Sequence, residues 1–258
     1  MHGVHFGGVL AGRRVSRLRL MIPAYARGDE GHKKDTELLS PACLQTVQDL
    51  ISLGVVSPHD ATIYRNTGLL VYARAQLLSW AMHEPEVDEL LFLDADMGVG
   101  AGTIQAMREA CEDAIGLAYQ MRYPPHSWVV SPDEPYRLTE RAGHRLMPCR
   151  GLALGCVLLQ RWCIEDAILH WPELECVAPQ GWPMWNLFAP LIADHRGRRT
   201  LLTEDYSFCR RLGDAGVTMD CFVDAIVDHA GDRSCFGALI PDGANLSATL
   251  CQIANRSY

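Results

Sequence analysis

The apolar positions of this chain form short strand-like runs that alternate with stripes at helical spacing. Leu18–Ile22 is the first strand, expected to stop at Pro23 before a polar segment that runs through Lys34. A helix is predicted from about Leu38 to Leu53, with Leu39, Cys43, Val47, Leu50 and Ile51 on one face and Gly54 as its stop. Ala61–Tyr64 reads as a short strand, and Leu69–Met82 as a helix with Leu70, Ala73, Leu77 and Trp80 at helical spacing. Glu89–Leu93 is a compact apolar run of the kind found in parallel strands covered on both faces. It ends in Asp94-Ala95-Asp96-Met97-Gly98, and a helix over Thr103–Glu112 and a strand over Ile115–Met121 follow. This alternation predicts an α/β fold with an open, Rossmann-like, mostly parallel sheet and helices on both faces.

The second half is less regular. Ser127–Arg150 is polar and rich in Pro and Gly, which suggests a hairpin or an excursion, and Ala153–Leu159 is a further buried strand. Val177–Arg199 carries Trp182, Trp185, Phe188, three prolines and Gly181 and predicts a long functional loop. Leu202–Ala215 is a helix with Thr203 as N-cap and Gly216 at its stop, followed by strands at Val217–Val223 and Ile226–His229.

A chain of 258 residues is long enough for a substantial core in one large domain or two small ones. The net charge of −8 argues against a general binder of nucleic acid or anionic membrane, though not against a single phosphate pocket. Ten cysteines without a C-x-x-C pair predict buried free thiols in a reducing compartment rather than a zinc site. No stretch reaches the apolar length of a transmembrane helix, and the first twenty residues lack a secretory pattern, so a cytoplasmic protein is expected.

Asp94 and Asp96 are the first candidates for chemistry. An extended backbone places residues two apart on one side, and the end of a parallel strand is where open α/β sheets bind ligands. Two carboxylates there suit Mg2+ or Mn2+, with coordination positions left for diphosphate oxygens. Glu204 and Asp205 follow Thr203 in the first turn of a helix, where acids are also favoured by the helix dipole. Gly151 and Gly155 flank a buried strand and can mark close backbone approach to a ligand. Trp182 and Trp185 suit either stacking on a sugar or a role in the core.

Taken together, LRLMIPAY, VYARAQLLSWAM, ELLFLDADMGVGAGTI, GLALGCVLLQRW and TEDYSFCRRLGDAGVTMDCFVDAIVDHAG resemble a GT-A glycosyltransferase of the family-2-like kind, over about residues 18–232. The resemblance implies a single GT-A domain, with about 18–122 as the nucleotide-sugar half and about 123–258 as the smaller acceptor and catalytic half. It implies that Pro23, Ala24 and Tyr25 line the base pocket and that Arg74 is a cation near the nucleotide. Asp94 then faces ribose or metal, while Asp96 and His229 are metal ligands. Asp205 is the general base of an inverting displacement, with Glu204 orienting the base or the acceptor. The implied partners are a nucleotide-sugar donor, a saccharide or other hydroxyl-bearing acceptor, and Mn2+ or Mg2+. Arg65, Arg196, Arg198 and Arg199 are further candidates to contact the diphosphate, the last three from a basic lid. Two alternatives are a sugar-nucleotide pyrophosphorylase or other nucleotidyltransferase, suggested by GGVLAGRRVSRL, and a non-catalytic nucleotide-sugar-binding module.

Overall fold

The computed structural model describes residues 16–26, 34–66, 68–120, 128–195, 197–230 and the backbone of 235–237. Most of the GGVLAGRRVSRL segment and Arg196 therefore lie outside the described residues. In chain order the elements are β1 (Arg17–Tyr25), α1 (Pro41–Ser52), β2 (Ala61–Asn66), α2 (Leu70–Met82), β3 (Val87–Leu93), β4 (Met97–Val99) and α3 (Ala101–Ala110). They continue with β5 (Ala114–Leu117), β6 (Val130–Pro132), β7 (Thr139–Arg141), β8 (His144–Leu152), β9 (Cys156–Gln160), α4 (Arg161–His170), β10 (Glu175–Val177) and β11 (Pro183–Trp185). The last are β12 (Leu191–His195), β13 (Arg198–Leu202), α5 (Glu204–Asp214), β14 (Met219–Phe222), β15 (Val227–His229) and β16 (Cys235–Gly237).

The central sheet is mostly parallel, in the order β2-β1-β3-β9-β5-β14-β8-β6 with β7 paired to β8. β2, β1, β3, β5 and β14 run one way, while β9 lies antiparallel between β3 and β5 and β8 lies antiparallel beside β14. Alternate residues feed two cores. Phe92, Val157 and Leu159 pack with α2, α4 and α5 on one face. Leu91, Leu93, Cys156 and Leu158 pack with α1 and α3 on the other. This double burial is why β3 reads as an unbroken apolar run.

Several expectations need correcting. β1 does not stop at Pro23 but continues to Tyr25, with Pro23 opposite Tyr64 of β2. Its pairing with β3 has ended by then, at Met21↔Phe92, so the missing proline N–H falls where the strand is paired on one side only. The segment from Val177 is not one loop but two hairpins, β10–β11 and β12–β13, with Gly181 and Gly197 at positive φ near their turns. Of the basic stretch, Arg198 and Arg199 lie at the start of β13, paired with His195 and Asp194. Ser127–Arg150 does contain a hairpin, β7–β8, turning at Ala142 and Gly143 with both at positive φ. α5 ends at Gly216 (φ +88°), as expected, because only glycine adopts that conformation without strain. The eight described cysteines whose side chains are placed are free thiols, six of them buried. Among the described residues no helix is long and apolar enough to cross a membrane.

Candidate active site

The edge of the sheet where β3 and β5 end also holds the start of the antiparallel β9, because Leu93 pairs with Cys156 and Gly116 with Val157. Asp94 leaves β3 there, its N–H donating to the Gly155 carbonyl at 2.8 Å. The chain then turns at once, as the Met97 N–H donates to the Asp94 carbonyl at 3.0 Å. Asp94-Ala95-Asp96 is therefore a tight turn, not an extended strand end, so strand alternation does not set where the two carboxylates point. Each carboxylate serves a different cluster.

Asp94 joins an ion cluster centred on Arg74. This guanidinium is 1% exposed, and its Nη2 reaches both Asp94 carboxylate oxygens at 3.0 and 3.1 Å. Its Nη1 meets Asp205 closely and Glu204 at 3.3 Å. Nε is buried with no hydrogen-bond partner. Burial works against the guanidinium charge, but Asp94 and Asp205 outweigh it and raise the pKa. Arg74 therefore has both terminal nitrogens committed to carboxylates and acts as their internal counter-ion. Three carboxylates around one guanidinium leave a net negative site when all are ionised.

Asp205 is raised to about 6 from the ordinary 3.8. Burial is the main cause, reinforced by the charges of Glu204 and Asp94 and opposed by Arg74 and a backbone hydrogen bond from Leu154. α5 holds both acids at its N-terminus, after Thr203, whose carbonyl accepts the Ser207 N–H at 2.8 Å. The Ser207 hydroxyl accepts from Leu191 N–H and donates to the Leu202 carbonyl, tying the β12–β13 hairpin to this helix.

Asp96 faces His229. β15 pairs antiparallel with β4, aligning His229 with Met97, and the Ala230 N–H donates to the Asp96 carbonyl at 2.8 Å. This brings His229 Nε2 to 3.9 Å from an Asp96 carboxylate oxygen. His229 Nδ1 lies 3.1 Å from the Gln120 carbonyl, which can only accept, so Nδ1 carries the proton. Among the described residues, no three His, Cys, Asp or Glu side chains gather as a metal-ligating set; Asp96 and His229 are a pair.

The remaining candidates are more dispersed. Tyr25 ends β1 with 59% of its surface exposed, whereas Pro23 and Ala24 are buried, the Ala24 methyl within the core. Arg65 pairs with Asp35 at 2.9 Å, and Arg198 and Arg199 are exposed on β13. Gly151 and Gly155 do mark close approach, but to side chains. A Cβ at Gly151 would stand 2.6 Å from the Tyr206 ring, and one at Gly155 2.6 Å from the Tyr119 hydroxyl. Sequence reasoning missed Tyr119 because it falls at the end of an apolar run, where an aromatic reads as core.

No protein-family model matches the sequence, and no curated protein matches it. Solved structures share its fold loosely. A197 from STIV aligns with a TM-score of 0.47 and 13% identity over 84% of this chain and 86% of that one. The 4-diphosphocytidyl-2C-methyl-D-erythritol synthase from Anaerococcus prevotii aligns at 0.32 and 12%, over 64% and 78%. GalNAc-T7 with UDP, GalNAc and Mn2+ aligns at 0.41 and 12%, over 83% of this chain but 43% of that one. Similarities this low leave the function to be argued from the site.

Proposed function

We propose that this chain is a metal-dependent GT-A glycosyltransferase that moves a sugar from a nucleotide-diphosphate donor to an acceptor hydroxyl. The observation that carries the reading is the pairing of two clusters at one sheet edge. A desolvated carboxylate with a pKa near 6 sits beside Arg74, and a carboxylate–imidazole pair lies across a three-residue turn. In this reading about 18–122 is the donor half and about 123–258 the acceptor half, and Tyr25 with the backbone of Pro23 and Ala24 borders the base.

Asp96 and His229 fit a hard divalent cation. Donors about 2.1 Å from one ion stand no more than about 4.2 Å apart, and these are separated by 3.9 Å. The Nδ1–H bond to Gln120 leaves Nε2 as the ligating nitrogen, the arrangement in which an outer partner fixes a metal-bound histidine. A carboxylate with one imidazole suits Mn2+ and tolerates Mg2+. When bound, the ion would neutralise charge on the departing diphosphate.

Asp205 in its ionised form would take the proton of the acceptor hydroxyl as that oxygen attacks the anomeric carbon. The bond from that carbon to the diphosphate oxygen breaks, and the nucleoside diphosphate leaves with inversion. Arg74 would hold Asp205 and Asp94 in place, Asp94 facing the ribose because both its oxygens already meet Arg74. Glu204, on the same guanidinium, would keep the Asp205 pKa up and orient the acceptor. A panel of UDP-, GDP-, TDP- and CMP-sugars tests the reading by thermal shift. A donor at a hundred times its Kd stabilises by about 2.7 kcal/mol, or roughly 5–10 °C at this chain length, and only with Mn2+ present. No shift with any donor in Mn2+ would count against the proposal.

A further inference from the structure

The segment after β5 touches His229 twice, through two different groups. The Gln120 carbonyl meets Nδ1 at 3.1 Å, and the Tyr119 ring packs against the imidazole with centroids 4.8 Å apart and planes at 68°. The same tyrosine reaches the other cluster. Its hydroxyl lies where a Cβ on Gly155 would stand 2.6 Å away, and the Gly155 carbonyl holds the Asp94 N–H. Tyr119 is 9% exposed, so its ring is fixed by packing rather than by solvent. The glycine at 155 is needed for this contact, since any side chain there would displace the phenol.

Resting on the metal reading of Asp96 and His229, we infer that Tyr119 is a positioning residue whose ring packs at a steep angle against the His229 imidazole, holds Nε2 toward Asp96, and ties it to the Asp94 turn through Gly155. The hydrogen bond to Gln120 fixes the direction of one ring nitrogen, and the aromatic contact with Tyr119 limits rotation of the imidazole about that bond. Partners that orient a ligating histidine without touching the metal typically change affinity about 10–100-fold when lost. The ring is the working part in this role, and the hydroxyl is secondary.

Mn2+ titration followed by loss of the free-ion EPR signal tests this without any turnover. Tyr119→Phe keeps the ring and should hold the Mn2+ Kd within about twofold of wild type. Tyr119→Leu removes the ring and should weaken binding about tenfold, whereas adding it to His229→Ala should cause no loss beyond that of His229→Ala alone. Wild-type protein that binds no Mn2+ would overturn the metal reading and this inference with it. Binding that is abolished by His229→Ala but unchanged by Tyr119→Leu would overturn the positioning role alone. Imidazole nitrogen NMR on the metal-free wild type supplies a test that does not depend on a variant folding. A His229 signal from the Nδ1–H tautomer, with ring protons shifted by the neighbouring aromatic, is expected. A predominant Nε2–H tautomer or an unshifted ring would refute the inference.

Discussion

Replacing Arg74 by Met removes the cation that the three carboxylates share while keeping most of the side chain's length. Arg74 is 1% exposed, and Asp94, Glu204 and Asp205 are 23%, 23% and 18% exposed. Removing one partner of a buried pair costs about 3–5 kcal/mol. The carboxylates retain some water, so the lower end of that range applies, a loss of about 3 kcal/mol or roughly 6–12 °C in Tm at this chain length. The loss also depends on pH, with a definite sign. Asp205 titrates at about 6 in the folded protein against 3.8 ordinarily, through burial first and then the Glu204 and Asp94 charges. Without Arg74, its folded pKa rises further. A carboxyl whose folded pKa lies above its unfolded value binds extra protons when folded, so stability falls as pH rises from about 4 through the folded pKa. The deficit of Arg74→Met should therefore be largest above pH 7 and shrink toward pH 5. Urea unfolding of both proteins at pH 5 and pH 8 measures it. A deficit equal at both pH values, or larger at pH 5, would refute the idea that the guanidinium stabilises charged carboxylates.

Asp205→Asn should lower kcat by about 10^2–10^4-fold while donor Kd stays within a few-fold, since general-base catalysis contributes on that scale; unchanged turnover would remove Asp205 as the base. In the wild type, kcat/KM should fall as pH drops below about 6, because the base is active only when ionised. Glu204→Gln should move that acid limb to lower pH, as the neighbouring negative charge that raises Asp205 is gone, and a limb moving upward would contradict the assignment. Gly155→Ala places a methyl 2.6 Å from the Tyr119 hydroxyl and should destabilise by about 1–3 kcal/mol in chemical denaturation, as overpacked sites do.

The strands that are buried on both faces were legible because such burial leaves an unbroken apolar run, as in Leu90–Leu93, and α5 was legible because Gly216 marks its end. The antiparallel insertion of β9 was not, since an apolar run carries no direction. Pro23 misled because a proline reads as a stop unless the pairing on each side of its strand is known. Residue type and order single out the carboxylates and His229 as candidates, but not how the fold groups them. The turn at Asp94–Met97 sends the two aspartates to different clusters, and only the pairing of β15 with β4 brings His229 back across the chain to Asp96. Arg74 carried no sign of its burial, because an arginine within an apolar helical stripe looks like a surface residue until three acids from elsewhere in the chain surround it.

The central claim is the transfer of a sugar from a nucleotide-diphosphate donor, and phosphorus NMR of the purified chain with a donor panel and Mn2+ tests it most directly. A glycosyltransferase converts one donor to its nucleoside diphosphate, slowly with water and faster with the right acceptor, and stops when the metal is chelated. No nucleoside diphosphate from any donor, or a reaction that instead consumes or releases pyrophosphate, would contradict it.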